Sequence, residues 1–399
     1  MPPRESELEA LLGKETEDSP LLGEIRHLLK PNGSIIGKDV AETILPQFPT
    51  FASAIPSSNR AALASIDGRS PLSHDRIAEF VNEFGAVLHA LGFGKGDRIA
   101  LVLPNGPELA LAIVATSQWA SCVPLSANGA LSELEADLLR CGANLVIGPY
   151  SGTLSPAHLR GTVDDRYCVM SSNDKDWSAF RSIEEAASKL RIPFVGLVPS
   201  PAESGIFRLQ ATRLPLPLHF EQVQVPKPLR NKAPVTGAND ADDEILVLFT
   251  SGTTGNKKLV PHMLGEMLTA AATIALSWDL KSSSVNCNLM PLFHVGGIVR
   301  QVFSPIFSGG CVICCPSFDP SIFWALLEKR AFTWYYAAPT MHQLILQTGR
   351  SDGFITEDGE CEYKLGMIAN AAGGLLPSLA QEMMKTFAAN VSRPCFSVV

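Results

Sequence analysis

The chain has 399 residues, 46% of them hydrophobic and 18% charged, with a net charge of -8. This is the composition of a globular enzyme long enough for two or more packed units, and its acidic balance argues against nucleic acid or an anionic membrane as partner. No apolar stretch approaches the roughly 18 residues that span a bilayer, and nine mostly scattered cysteines with no apolar signal core suggest a reducing, cytoplasmic setting.

Residues 1–45 read as a helical, partly mobile leader, with Leu8, Leu11 and Leu12 at helical spacing. Ser73 opens a helix in which Ile77, Phe80, Val81, Phe84 and Leu88 form one apolar stripe. Lys95-Gly96-Asp97-Arg98 turns into a strand over 99–103, which Pro104-Asn105-Gly106 ends. Pro107 starts the next helix. A strand at 122–125, a helix at 131–139 and a strand at 144–147 follow. This β-α-β-α-β order argues for a doubly wound, mainly parallel sheet. Residues 190–240 are rich in proline and suggest short edge strands and turns, with 236–243 a mobile acidic linker and Asp240-Ala241-Asp242-Asp243 a solvated charge run.

The apolar run at 245–249 reads as a buried strand. It empties into Thr250-Ser251-Gly252-Thr253-Thr254-Gly255, followed by Asn256 and the pair Lys257-Lys258. Glycine permits φ > 0 and leaves no Cβ in a ligand's way. Successive N–H groups in such a loop make an anion nest, hydroxyls add rotatable donors, and a lysine adds a full charge. The pattern suits a triphosphate cradle; the plainer alternative is a Ser/Thr/Gly-rich turn with no ligand. A Walker loop needs Gly-x-x-x-x-Gly-Lys and then Ser or Thr; here the glycines stand three apart and Leu259 follows the lysines, which disfavours a kinase-like NTPase.

Beyond the loop the alternation resumes. Helices are expected at 263–278, 297–307, 323–330, 341–347 and 377–387, and strands at 288–292, 311–315, 333–337 and 367–371. Cys311, Cys314 and Cys315 lack a second Cys or His pair at metal spacing and fit a structural strand better than a zinc site. The whole reads as an α/β fold of two doubly wound, mainly parallel sheets sandwiched with helices, a first lobe over about 46–240 and a second over about 241–399.

The loop resembles the signature of the adenylate-forming (AMP-binding) superfamily, Thr-Ser-Gly-Thr-Thr-Gly, two variable positions, then Lys. Weaker pieces follow the family's order: Lys95-Gly96-Asp97-Arg98, Leu103-Pro104-Asn105 and Val123-Pro124-Leu125 before the loop, then Pro291-Leu292-Phe293-His294-Val295-Gly296-Gly297, Pro339-Thr340 and Ala369-Asn370-Ala371-Ala372-Gly373-Gly374. The resemblance implies the large N-terminal domain of an acyl-CoA synthetase-like enzyme over 46–399. It implies that Thr250, Ser251, Gly252, Thr253, Thr254, Gly255 and Lys258 hold ATP phosphates, with Lys258 and Thr253 catalytic. Gly373 and Gly374 would border adenine, and His294 and Gly296 the acyl group. A histidine on an apolar stretch is more often a satisfied core residue; the ordered motifs favour the substrate role.

The implied reaction is ATP-dependent activation of a small-molecule carboxylic acid as acyl-adenylate, with Mg²⁺, then transfer to coenzyme A or the phosphopantetheine thiol of a carrier protein. Departures stand beside it. Lys257 replaces a usual proline and Leu259 a glycine, and 391–399 fit neither the family's strand nor an evident new domain. The Mg²⁺-holding glutamate, the ribose-binding aspartate and the small C-terminal domain find no match, so no metal ligand is named. Two readings follow from the sequence: an acid–thiol ligase, or a truncated, non-catalytic remnant that at most binds nucleotide.

Overall fold

The computed structural model describes residues 19–30, 35–150, 174–211, 229, 233–250, 257–370 and 373–392. Two seven-stranded sheets carry the molecule. One contains β1 (Ala61–Ser65), β2 (Leu72–Ser73), β10 (Val285–Asn288), β11 (Cys311–Cys314), β12 (Trp334–Ala337), β13 (Met367–Asn370) and β14 (Asn390–Ser392), in the order β14-β13-β12-β10-β11-β1-β2. The other contains β3 (Arg98–Leu101), β4 (Ser121–Pro124), β5 (Leu145–Pro149), β6 (Phe194–Pro199), β7 (Phe207–Ala211), β8 (Glu244–Thr250) and β9 (Lys258–Met263), in the order β7-β6-β5-β3-β4-β8-β9. Only β2, β7 and β9 run antiparallel to their neighbours. The mainly parallel α/β reading therefore holds, with strands exchanged along the chain. β1 and β2 precede residue 240 yet lie in the sheet of the last strands, and β8 and β9 follow it yet lie with the first.

Parallel strands covered on both faces bury nearly every side chain, as β3, β4 and β5 do. The helix Pro107–Trp119 packs against strands of both sheets. That explains why its residues 109–115 are apolar all round and fully inside. Its polar end is buried as well and is bonded rather than solvated: Gln118 Oε1 accepts from the Ala52 N–H at 2.7 Å, and the Ser117 and Ala120 carbonyls each accept from Asn239 Nδ2 at 3.0 Å.

Asn239 overturns the expectation of a mobile linker at 236–243. It is wholly buried, and the neighbouring Asp240 and Asp243 pair with Lys95. The Lys95–Arg98 turn is thus an anchor for the start of β8, since Arg98 also grips Glu244 through two bonds of 2.8 and 2.7 Å. The described part of the leader is docked as well: Leu21, Leu22, Ile25, Val40 and Ile44 are buried against the core, next to the helix Leu264–Ser277. Leu8, Leu11 and Leu12 lie outside the described residues.

The helix His74–Ala90 presents the expected stripe, and the Ser73 hydroxyl caps it by accepting from the Arg76 N–H at 3.2 Å. Three other expectations are corrected. The strand placed at 288–292 ends at Asn288, because Pro291 and the turn after it cannot continue the ladder. The helix placed at 297–307 is π-helical over Gly296–Phe303 before becoming α-helical over Ser304–Phe307. The end of the chain does supply a strand, β14, parallel to β13; residues from 393 onward lie outside the described set.

Candidate nucleotide and acyl site

In each sheet the parallel strands point the same way, so their carboxyl ends form one edge. The two edges face each other across Asn105. Its Nδ2 donates to the Cys315 carbonyl just past β11, and its Oδ1 accepts from the Leu292 N–H beyond β10, both at 2.8 Å. Asn105 itself lies just past β3. Ligands of open α/β sheets bind in the crevice outside the carboxyl ends of the strands, and the segments singled out from sequence leave from those ends. The segment after Thr250 leaves β8, His294 and Gly296 follow β10, Pro339 follows β12, and Gly373 and Gly374 follow β13.

Ser251, Gly252, Thr253, Thr254 and Gly255 lie outside the described residues, as do Ala371 and Ala372. The strands flanking the loop are defined. β8 and β9 pair antiparallel with Thr250 opposite Lys258, β9 at the sheet edge. β9 was missed from sequence: it is an edge strand without clean alternation, and Pro261 sits in it, where a missing N–H is tolerated. Thr250 and Lys258 are both exposed. Lys257 turns the other way: its Nζ lies 2.6 Å from Asp137 Oδ2 and 5.9 Å from the centroid of the Phe249 ring.

His294 is exposed at the head of the π-helix, its ring 4.6 Å from that of Phe293. Desolvation of the ring pushes its pKa down, which favours the neutral imidazole. Gly296 and Gly297 are there for space. A Cβ on Gly297 would stand 2.3 Å from the Pro291 carbonyl oxygen, and one on Gly296 would stand 3.2 Å from the Tyr336 ring and hydroxyl. Gly373 is held by Asn370, whose Nδ2 donates to its carbonyl at 2.7 Å, and it stands beside Pro339. Gly374 has open space where a side chain would be, as close approach of a flat ring requires.

Sequence reasoning missed Asn105, Asn370, Arg300 and Tyr336 as parts of this crevice. Alternation along β12 could have placed Trp334 and Tyr336 on one face, but only the fold brings Arg300 to that face. Among the described residues no three His, Cys, Asp or Glu side chains converge as a metal site. No helix of the described residues is long and apolar enough to cross a membrane.

Comparison with known proteins bears on the family and the fold. A family model described as AMP-binding enzyme matches residues 52–393. A probable CoA ligase, CCL9, from Humulus lupulus is 28% identical over 338 residues, covering 84% of this chain and 55% of that protein. An oxalate–CoA ligase from Arabidopsis thaliana is 28% identical over 347 residues, covering 84% and 56%. The chain thus spans about half the length of the curated relatives it matches. Among solved structures, apo MatB from Rhodopseudomonas palustris aligns with a TM-score of 0.60 at 19% identity, covering 86% of this chain and 58% of that one; this likeness speaks to fold.

Proposed function

We propose, since the chain belongs to the AMP-binding enzyme family, that its crevice activates a carboxylic acid with ATP and prepares it for transfer to a thiol. In the first step a carboxylate oxygen attacks the α-phosphorus, the bond from that phosphorus to the bridging oxygen breaks, and pyrophosphate leaves. In the second a thiol attacks the acyl carbon, the new C–S bond replaces the bond to AMP, and the thiol's proton is released. Coenzyme A is the acceptor in the names of the relatives; a carrier-protein thiol is the alternative.

The chain's own groups meet the main electrostatic obstacle. Two anions brought to about 4 Å repel by roughly 4 kcal/mol at an effective dielectric near 20, worth about a thousandfold in rate. On this reading the N–H groups and hydroxyls of Thr250, Ser251, Gly252, Thr253, Thr254 and Gly255, with the Lys258 ammonium, hold the phosphates and stabilise charge that develops on the departing pyrophosphate. Gly373 and Gly374 offer a flat border for adenine. Neutral His294 and the space left by Gly296 border the acyl group.

The observation that carries the proposal is that Asn105, past the carboxyl end of β3, bonds to the segments past β10 and β11, which brings together the carboxyl ends of the two sheets to which β8, β12 and β13 belong. Trapping of acyl-adenylate by hydroxylamine, with ATP and a panel of acids, tests it. Acid-dependent hydroxamate that disappears in Lys258→Ala supports adenylation. ATP binding without hydroxamate for any acid would leave a nucleotide-binding protein without the chemistry.

A further inference from the structure

The π-helical turn Gly296–Phe303 puts Arg300 where an acyl group would meet a positive charge. A π-helix closes i→i+5 bonds, so positions four and five apart share a face. Gly296 approaches the Tyr336 hydroxyl closely enough that a Cβ would stand 3.2 Å away. Arg300, four residues on, holds its guanidinium carbon 5.5 Å from the centroid of that same ring. Tyr336 is only 5% exposed, so this pairing lies inside the wall rather than on the surface.

A guanidinium has five donors and cannot shed its charge. Partly buried, it needs an anion or water to satisfy them. Among the described residues its partner is Tyr336, through the ring face and a side-chain hydrogen bond, and no carboxylate pairs with it, so most of its donors are left for a ligand or water. The neighbouring Trp278 ring, 6.0 Å from Tyr336, also leaves its buried indole N–H without an acceptor among the described residues. The wall that begins at His294 therefore runs from a neutral imidazole, past a glycine, to a cation. A wall built for a plain hydrocarbon tail would not hold a cation.

Resting on the adenylation reading, we infer that Arg300 receives a second anionic group of the acid substrate, so that the preferred acid carries two negative charges, the reacting carboxylate at the His294 end and the other at Arg300. The fork of Arg300 would bind that carboxylate through two N–H groups, with Tyr336 stacked behind the guanidinium.

The test is calorimetric titration of the whole chain with malonate, succinate, glutarate and adipate, and with the monomethyl ester of each. Each titration is run with and without ATP. The expected result is at least one diacid bound about tenfold or more tightly than its half-ester, as for loss of a charge-assisted hydrogen bond. Arg300→Met should abolish that preference with half-ester affinity within about twofold of wild type, and Arg300→Lys should retain part of it. Equal affinities for every diacid and its half-ester in the wild-type chain would overturn the inference, whether or not Arg300→Met folds. So would a preference that survives in Arg300→Met, or loss of ATP affinity in its place. Failure of the wild-type chain to bind ATP would instead strike the adenylation reading.

Discussion

The Lys257 ammonium lies 2.6 Å from the Asp137 carboxylate, and the Arg140 guanidinium donates to the Lys257 carbonyl at 3.3 Å. The helix Leu131–Cys141 thus grips the exit of the loop through one lysine and leaves the next, Lys258, exposed. Adjacent lysines with different surroundings should fail differently. Lys257→Ala should lower stability by about 1 kcal/mol or less, because the pair is partly solvated, and should weaken ATP binding only modestly. Lys258→Ala should leave the melting temperature unchanged while lowering ATP affinity about tenfold or more. Thermal melts and ATP titrations of both variants check this; equal effects on ATP would contradict it.

Gly296 and Gly297 separate a pocket effect from a folding effect. Alanine at 297 would meet a backbone oxygen at 2.3 Å, which cannot move without shifting the turn. Gly297→Ala should cost about 1–3 kcal/mol in chemical denaturation. Alanine at 296 meets the Tyr336 side chain at 3.2 Å, which has some freedom to give. Gly296→Ala should fold nearly as well but lose affinity for the bulkier acids of a panel before the smaller ones.

Asn105 joins the two sheets through its Cys315 and Leu292 bonds, and both partner residues are buried. Asn105→Ala leaves an N–H and a carbonyl without their partner and should cost about 2 kcal/mol. Urea unfolding measures the loss. Because the crevice is lined from both sheets, ATP affinity should fall in the same variant under conditions where it remains folded.

His342 gives a pH dependence with a definite sign. It is wholly buried beside Tyr335, Nδ1 to hydroxyl 3.0 Å, and burial lowers its pKa to about 4 from 6.5. The unfolded chain therefore takes up this proton first as pH falls. The stability from the neutral ring is fully present above about pH 6.5 and is lost as pH falls toward 4, on the order of 3 kcal/mol in all. His74, wholly buried and shifted the same way by desolvation, adds to the slope. Melting temperatures between pH 7.5 and 4.5 should fall, and His342→Gln should flatten that fall.

Helices whose burial follows one stripe were legible in the sequence. The stripe of His74–Ala90 and the bounds of Pro377–Phe387 appear in the fold as read. Periodicity could not reveal partner choice. Nothing local tells β1 to join β11 or β8 to join β4, because parallel pairing is decided by distant residues. The stretch at 236–243 looked solvated because its charges are visible in sequence while its anchor, Asn239 on the Pro107–Trp119 helix, is a tertiary contact. The loop motif named the family, whereas the Arg300–Tyr336 pairing needed the π-helical register and could not be counted off from the residues.

Acid-dependent exchange of labelled pyrophosphate into ATP measures the proposed first step alone, since it reports reversal of adenylate formation and needs no thiol. The wild-type chain should incorporate label only when a suitable acid is present, and Lys258→Ala should not. Wild-type protein that binds ATP yet exchanges no label with any acid, diacids included, would contradict the central reading.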